Sequence, residues 1–373
     1  MSVSAALSFT DLPQPRPVAG EDAYAREKEL ALASDAAKRD NFELFKAHKV
    51  RTAEVDYLPI KLDIENVSRC NFRCPMCVVP DWQKGQRAND MSLNDFNRLL
   101  DEQTGLLEIK LQGIGEPLLQ RDDFFAMIRA ARARHIWVRT TTNASLLHLK
   151  NNMHELIDSD PNEIQISIDG ATAETFEKIR VGGDFDQVTK NCKAINASCR
   201  EKDVKRTKMW TVVQQDNVNE LSMLVDLAAE LGFESQVFSL TLSDWGLDHM
   251  NTRNNSVSAF DNLRPQKLMG LVDQGRALGV EVAFWMVREK YSTETPEKLC
   301  PWAFERAYVG SDNRVTPCCY IGNPDVYEIG NGIDPDNSFS SIWHGTDYKN
   351  FRRAHLDGKI PKVCQSCYED KAT

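Results

Sequence analysis

The sequence has no run of about 18 or more apolar residues, the length typical of a membrane-spanning helix. Its N-terminus has neither the basic start nor the apolar core of a secretory signal peptide. Basic residues are in deficit, with 45 Lys and Arg against 55 Asp and Glu, so no excess of positive charge is available for a nucleic-acid backbone. We therefore expect a cytoplasmic protein with neither a membrane nor a nucleic acid as its partner.

Apolar residues are nevertheless plentiful enough for a large core. The 373 residues are 42% hydrophobic and 27% charged, a balance typical of globular proteins, and the length predicts about two or three domains. Cysteine is the unusual component, since three of the ten cysteines fall within eight residues. In a reducing compartment, such cysteines are typical metal ligands. The cysteines are therefore the main indication of function.

Short β-branched and apolar runs alternate with helical segments through the middle of the chain. This alternation predicts an α/β fold with a parallel sheet. The predicted strands cover residues 60–67, 108–112, 137–142, 163–168, 209–213 and 236–240. Ligands of such folds bind at the carboxyl ends of the strands, so we expect the functional residues directly after these runs.

Composition divides the chain into five segments. The first is rich in Ser, Ala and Pro, the second is helical in composition, and the last has Gly and Pro punctuation with five of the ten cysteines. This last segment is too irregular to predict a seventh and an eighth barrel repeat. The predicted segments are a flexible tail (1–20), a helical N-terminal extension (21–57), the β/α region (58–245), a bridging helix and strand (246–299) and a cysteine-rich domain (300–373).

Three cysteines follow the first predicted strand in a C-x3-C-x2-C arrangement, namely Cys70, Cys74 and Cys77. Soft thiolate ligands select zinc, copper or iron-sulfur clusters. Three protein ligands leave one coordination position open, as catalysis at a metal requires. The alternative is a structural zinc site completed by a distant His or Cys.

This spacing after a first strand resembles the signature of the radical S-adenosylmethionine (SAM) superfamily. The resemblance implies a partial (β/α)6 TIM-like barrel in which the three cysteines ligate a [4Fe-4S] cluster that binds SAM. It also implies that SAM is cleaved to a 5′-deoxyadenosyl radical, which abstracts hydrogen from the substrate. A flavodoxin- or ferredoxin-type reductant would supply the electron.

Further motifs resemble SAM-binding elements of the same family. The stretch Gly113-Ile114-Gly115-Glu116 resembles the element that receives the SAM amino group, although a tight turn is an equal alternative for the pattern alone. Arg180 has a surface ion pair as its alternative, and Asn143 has a helix cap. The SAM-binding residues that the resemblance implies are Gly113, Gly115, Glu116, Asn143, Ser167, Arg180 and Gln214.

The C-terminal cysteines form a second group, with Cys364 and Cys367 in a C-x2-C knuckle. Four thiolates from separate loops suit either a zinc ion or a cubane cluster. The pattern as a whole resembles the SPASM/twitch domain of radical SAM enzymes, which implies one auxiliary [4Fe-4S] cluster. Its implied ligands are Cys300, Cys318, Cys364 and Cys367, with Cys319 as the alternative to its neighbour Cys318.

The resemblance leads us to expect an oxidoreductase, most simply a dehydrogenase, that uses the auxiliary cluster as electron acceptor. The region before the barrel is too short and too helical for a separate peptide-binding module, so we expect a small-molecule substrate such as a sugar, aminocyclitol or nucleoside. Cys319 is the candidate hydrogen donor, and Asp244 is the candidate base after the sixth strand. The alternatives are a radical epimerase, a peptide (RiPP) maturase and a non-enzymatic, zinc-stapled binding protein.

Overall fold

One nine-stranded sheet organises the protein, whose computed structural model describes residues 7–369 except 49, 84, 88 and 289. The strands are β1 (Lys61–Ile64), β2 (Glu108–Leu111), β3 (Trp137–Thr142), β4 (Glu163–Ser167), β5 (Thr207–Val212), β6 (Ser235–Ser239), β7 (Glu281–Trp285), β8 (Arg306–Val309) and β9 (Val315–Thr316). Their order in the sheet is β7-β6-β5-β4-β3-β2-β1-β8-β9. All neighbours pair in parallel except β8 and β9. The sheet is open, and the predicted partial barrel is confirmed.

Helices connect these parallel strands, as right-handed crossovers require. The α-helices are α1 (Glu21–Ser34), α2 (Ala36–Ala47), α3 (Leu93–Glu102), α4 (Asp122–Arg132), α5 (Asn152–Asp158), α6 (Ala173–Ile179), α7 (Phe185–Glu201), α8 (Leu221–Leu231), α9 (Asp248–Val257), α10 (Pro265–Leu278), α11 (Trp302–Glu305), α12 (Phe339–Trp343) and α13 (Thr346–Leu356). Short 3-10 helices span Phe9–Asp11, Val79–Asp81, Pro117–Leu119, Phe260–Asn262, Pro296–Lys298 and Lys362–Cys367. None of the helices in the described ranges is long and apolar enough to cross a membrane.

Alternation along each strand divides the core from the barrel interior. In β2, Ile109 and Leu111 are fully buried in the hydrophobic core. Glu108 and Lys110, which alternate with them along the strand, point to the opposite face. Burying two such apolar side chains stabilises the fold by about 3–6 kcal/mol. The opposite face is the barrel interior, which is consequently polar.

Three strands extend the sheet beyond the six that the sequence predicted for the β/α region. β7, from the predicted bridging segment, pairs with β6, and β8, from the cysteine-rich domain, pairs with β1 in parallel register. The cysteine-rich domain is therefore continuous with the barrel sheet, and β9 adds a short antiparallel edge. The sequence predicts no seventh or eighth barrel repeat in this domain, and it does not reveal the pairing of β8 with β1, because an isolated four-residue strand carries only a weak pattern.

The N-terminal segment packs against the barrel, contrary to the expected flexible tail. Leu12 is 3% exposed and belongs to the main core. The Pro13 carbonyl accepts a hydrogen bond from the Phe284 amide at 2.8 Å, and the Arg16 carbonyl accepts one from Lys208 Nζ at 2.9 Å. These partners are distant in sequence, so local composition does not reveal them. Residues 1–6 of the predicted tail lie outside the described residues.

Candidate active site

The loop after β1 carries the first three cysteines. Phe72, between the first two, is 2% exposed and anchors this loop in the core. The Phe72 amide donates to Cys70 Sγ at 3.4 Å, and the Cys77 amide donates to the Cys74 carbonyl at 3.0 Å. Burial raises the pKa of the Cys70 thiol to about 12 and that of Cys77 to about 11, and the neighbouring cysteine charges contribute in the same direction. Three thiolates in one short loop would repel one another, and a cationic metal centre would relieve that repulsion.

Arg180 joins this loop to the end of β4. Its Nε donates to Asp169 Oδ2 at 2.6 Å, and Asp169 is fully buried. Burial raises the pKa of the Cys74 thiol, and the adjacent Arg180 guanidinium opposes that rise. Arg180 is therefore a buried cation beside the cysteine loop and not the exposed surface pair that was its alternative.

Gly115 lies in the loop that follows β2, here called the β2 loop. It allows this loop to lie directly on the loop of Cys70, Cys74 and Cys77, here called the cysteine loop. A Cβ at residue 115 would lie 2.4 Å from the carbonyl oxygens of both Val67 and Arg69. The next residue donates its amide to the Arg69 carbonyl at 2.9 Å, which fixes the same contact. Gly113 is similarly restricted, because its Cβ would meet the Glu65 side chain. These two predicted glycines are thus needed for close backbone approach.

The Gly115→Ala variant is expected to lose about 1–3 kcal/mol of unfolding free energy, because backbone atoms cannot move aside as a flexible side chain can. Gly270→Ala is the matched control. The Cβ that this change adds in α10 would have no described atom within 4 Å. The higher helix propensity of alanine predicts an unfolding free energy about 0.5–1 kcal/mol higher than that of the wild type. Denaturant unfolding of both variants measures the difference. Equal stability of the two variants would contradict this account of Gly115.

Glu116 is turned inward in this structure. Its carboxylate accepts hydrogen bonds from the Asn143 amide at 2.8 Å, the Thr142 hydroxyl at 2.7 Å and the Leu118 amide at 3.3 Å. Burial raises its pKa to about 7. With three protein donors, this carboxylate ties the β2 loop to the end of β3 and acts here as a positioning residue.

The other predicted SAM-site residues end neighbouring strands. Asn143 reaches the cysteine loop, with Nδ2 4.0 Å from Cys70 Sγ, and its Oδ1 accepts from the Ser145 amide in the turn after β3. Ser167 ends β4 and is 8% exposed. Gln214 follows β5, and its buried Nε2 has no hydrogen-bond partner among the described residues. An unsatisfied buried donor at a strand end suits a ligand.

Sequence reasoning missed Glu65 and Arg87. Both side chains are at most 1% exposed and form an ion pair. Glu65 Oε1 accepts from the Ile114 amide at 2.9 Å and its Oε2 from the Ser311 amide at 3.2 Å, while Arg87 Nη1 donates to the Gly322 carbonyl at 3.1 Å. The pair thus connects the β2 loop with the cysteine-rich domain. An acidic residue at the end of a predicted apolar strand was the available signal.

Four cysteines of the C-terminal domain line one cavity of about 30 Å³: Cys300, Cys318, Cys364 and Cys367. The Cys300 amide donates to the Tyr368 hydroxyl at 2.9 Å, which holds the first cysteine near the knuckle. In the described part of the chain, no three His, Cys, Asp or Glu side chains are arranged to hold one metal ion. A zinc ion needs all its sulfur ligands about 2.3 Å away, whereas a cubane takes its ligands on separate irons. Four thiols that share one cavity without converging on a single point therefore suit a cluster.

Cys319 and Asp244 lie on different sides of the boundary of the four-cysteine cavity. Cys319 is absent from the lining of this cavity and has Asp63 and Lys110 of the barrel interior as charged neighbours. Asp244, expected near the substrate, lines the four-cysteine cavity, and its Oδ1 accepts from the Gly246 amide at 2.9 Å. The short turn after β6 carries Asp244 toward the cysteine-rich domain instead of over the barrel.

The same turn touches both cysteine sites. Trp245 Nε1 donates to the Met76 carbonyl in the first cysteine loop at 3.1 Å. Ser243 Oγ donates to the Tyr320 carbonyl at 3.2 Å, and Tyr320 lines the four-cysteine cavity. One three-residue stretch therefore links the two sites.

Comparison with known families decides the identity of this double site. The Radical SAM superfamily matches residues 66–228, and the SPASM iron-sulfur cluster-binding domain matches residues 300–368. The chain belongs to the radical SAM superfamily. As a radical SAM enzyme with a SPASM domain, it uses SAM, a SAM-binding [4Fe-4S] cluster and an auxiliary [4Fe-4S] cluster. The orphan Gln214 donor, the buried three-cysteine loop and the four-cysteine cavity fit these groups.

Its relatives include enzymes of peptide maturation. Mycofactocin maturase MftC of Mycolicibacterium smegmatis is 29% identical over 192 residues, 51% of this chain and 47% of that protein, so the chain spans about half the length of that relative. PqqA peptide cyclase of Bradyrhizobium diazoefficiens is 22% identical over 85% of this chain and 80% of its own. The crystal structure of Streptococcus suis SuiB bound to precursor peptide SuiA superposes with a TM-score of 0.60 and 16% identity, covering 85% of this chain and 70% of that chain.

Proposed function

We propose that this radical SAM enzyme is a peptide maturase that oxidises a residue of a peptide, most simply by forming a crosslink or ring. The observation that carries the proposal is the likeness to PqqA peptide cyclase, which extends over 85% of the chain and so well beyond the barrel match. The maturase named MftC and the peptide-bound SuiB structure support the same class. The expected small-molecule substrate has support over less of the chain, from the GTP 3′,8-cyclase of Saccharophagus degradans, which is 28% identical over 53% of it.

When bound, SAM and the two clusters supply a 5′-deoxyadenosyl radical that abstracts hydrogen and an acceptor for the second electron of the substrate. In this proposal, Cys70, Cys74 and Cys77 hold the SAM cluster. The backbone at Gly113 and Gly115 approaches SAM closely, and Arg180 supplies positive charge for its carboxylate. The remaining proposed SAM contacts are Asn143, Ser167, Gln214 and, through the loop that it positions, Glu116.

Cys300, Cys318, Cys364 and Cys367 are the proposed auxiliary-cluster ligands. The shared cavity supports this set, and the distance of Cys319 from the lining supports Cys318 over its neighbour. The hydrogen bonds of Ser243 and Trp245 keep the two cysteine sites close together. This proximity suits an oxidation in which the substrate loses a hydrogen atom at the SAM site and then passes an electron to the auxiliary cluster.

A small-molecule dehydrogenase is the second candidate, because the barrel interior is lined by charged side chains that suit a polar substrate. Epimerisation is the expected reaction if Cys319, beside the same interior, returns a hydrogen atom to the substrate radical. A flavodoxin- or ferredoxin-type reductant and a cytoplasmic location remain parts of the proposal, supported by the chemistry of the clusters and by the cysteine usage.

The proposal is tested by incubating reduced, iron-loaded enzyme with SAM and short peptides encoded beside its gene, under anaerobic conditions. We expect one peptide to increase 5′-deoxyadenosine formation at least about tenfold over the uncoupled rate and to lose two hydrogens by mass spectrometry. Sugars and aminocyclitols are the matched alternative substrates. Stimulation by one of these, with conversion of an alcohol to a ketone, would replace the maturase by the dehydrogenase.

A further inference from the structure

A row of ionisable side chains crosses the inside of the barrel. Parallel register places Asp63 of β1 beside Lys110 of β2, Lys110 beside Arg139 of β3, and Arg139 beside Glu163 of β4. Register partners in parallel strands point to the same face. Their sequence neighbours Leu62, Ile64, Ile109 and Leu111 are all buried in the core on the other face. The row therefore faces the barrel interior.

Most charges near this row are paired. Glu108, one layer toward the amino ends of the strands, binds Lys61 at 2.7 Å and Arg139 at 2.6 Å. Glu163 forms an ion pair with Lys208. Tyr24 from α1 donates to Glu108 at 2.9 Å and helps to cover this end of the barrel. These contacts pair the two carboxylates of the lower layer with cations of the chain, although Arg139 Nε has no hydrogen-bond partner among the described residues.

Asp63 and Lys110 differ from the others in the row. Neither side chain makes a hydrogen bond or ion pair with any residue that the structure describes, although register places them on adjacent strands. Asp63 is 8% exposed, and Lys110 is half-buried. They are each other's strongest charged neighbours but make no direct hydrogen bond or ion pair, so their hydrogen-bonding capacity is free for a ligand.

The surroundings of the two side chains place them where a substrate would lie. Thr141 and Trp210, which face the interior nearer the carboxyl ends of their strands, are half-buried, so the interior is partly accessible on the carboxyl side of the row. Cys319 from the cysteine-rich domain lies near both charges. The two side chains thus sit between the strand ends that carry the proposed SAM site and the domain that carries the auxiliary cavity.

We propose that Lys110 and Asp63 bind the reacting residue of the substrate and that this residue is an aspartate or glutamate. Lys110 pairs with the side-chain carboxylate, and Asp63 accepts a hydrogen bond from a backbone N–H of the same residue. A dianionic phosphate fits less well, because it would face the Asp63 carboxylate. The inference rests on the proposed function, since it takes a peptide as the substrate.

The test is a ligand-observed NMR titration of the iron-loaded enzyme with N-acetyl-glutamate N-methylamide and its neutral isostere N-acetyl-glutamine N-methylamide. We expect about tenfold tighter binding of the glutamate probe by the wild-type enzyme. Lys110→Met is expected to remove this preference, and Lys110→Arg to retain most of it. Lys193→Met, at an exposed ion pair on α7, is the control and keeps the full preference.

Equal binding of the two probes, no binding of either at millimolar concentration, or a preference that survives Lys110→Met would each overturn the inference. Glucuronate is the third probe. Tighter binding of this sugar acid than of the glutamate probe would overturn the inference that the substrate is a peptide residue. Asp63→Asn provides a second variant if Lys110→Met does not fold, with weaker binding of both probes expected. The titration needs no turnover, so its failure is distinguishable from a failure of the proposed maturase, which is judged by product mass.

Discussion

Replacing Cys70, Cys74 and Cys77 together by alanine is expected to leave about four of about eight irons in the protein and to abolish SAM cleavage. The reason is that the two cysteine sets occupy separate parts of the structure. One lies in the loop after β1, and the other lines a cavity in the C-terminal domain. Anaerobic iron and sulfide analysis with Mössbauer spectroscopy measures the clusters, and 5′-deoxyadenosine formation measures the cleavage.

The control for this triple variant is the double replacement Cys192→Ala and Cys199→Ala. Both cysteines are buried on α7, at 0% and 4% exposure, and are absent from the two proposed ligand sets. This control is expected to keep about eight irons and full cleavage. If the triple variant lost all its iron while zinc remained on the C-terminal cysteines, the auxiliary cluster would be contradicted and redox-neutral chemistry would be favoured.

Cys318→Ala is expected to lose about four irons, whereas the adjacent Cys319→Ala is expected to keep about eight. Cys318 lines the cavity with the other three cysteines, but Cys319 lies toward Asp63 and Lys110. Iron analysis and electron paramagnetic resonance of the reduced proteins distinguish the two variants. SAM cleavage is expected to continue in both, because the SAM cluster has its own ligands.

The two neighbouring variants serve as controls for each other, since each removes one buried thiol from the same loop. Loss of the auxiliary signal in Cys319→Ala with retention in Cys318→Ala would reverse the assignment. If Cys319→Ala keeps its clusters but forms less product, a role of Cys319 at the substrate becomes the next question, because its thiol faces the barrel interior.

The family, the partial barrel and the cofactors were predictable from the sequence. The six predicted strands all occur, with bounds that differ by a few residues. The first three cysteines are close in sequence and follow a strand, so their convergence follows from a short loop alone. The glycines of the β2 loop were similarly recognisable, because close backbone contact restricts a position to glycine whatever surrounds it.

Other expectations failed where distant parts of the chain meet. The packing of Leu12 and Pro13 depends on β7, more than 250 residues away, and β8 joins β1 from the cysteine-rich domain. Asp244 lines the four-cysteine cavity because the turn after β6 carries it toward the cysteine-rich domain. The preference for a small-molecule substrate rested on the short helical region before the barrel, and the likeness to PqqA peptide cyclase gives its peptide alternative more support.

By itself the sequence determined which chemistry the protein carries, because ligand spacing, glycine restrictions and strand periodicity act over a few residues. Tertiary structure alone decided which of two adjacent cysteines faces the four-cysteine cavity, since consecutive side chains point in different directions. It also decided that Asp63 and Lys110 remain unpaired among the described residues while Glu108 and Glu163 are paired. Such pairing depends on the register of separate strands and on the side chains that share one buried interior, which no local pattern specifies.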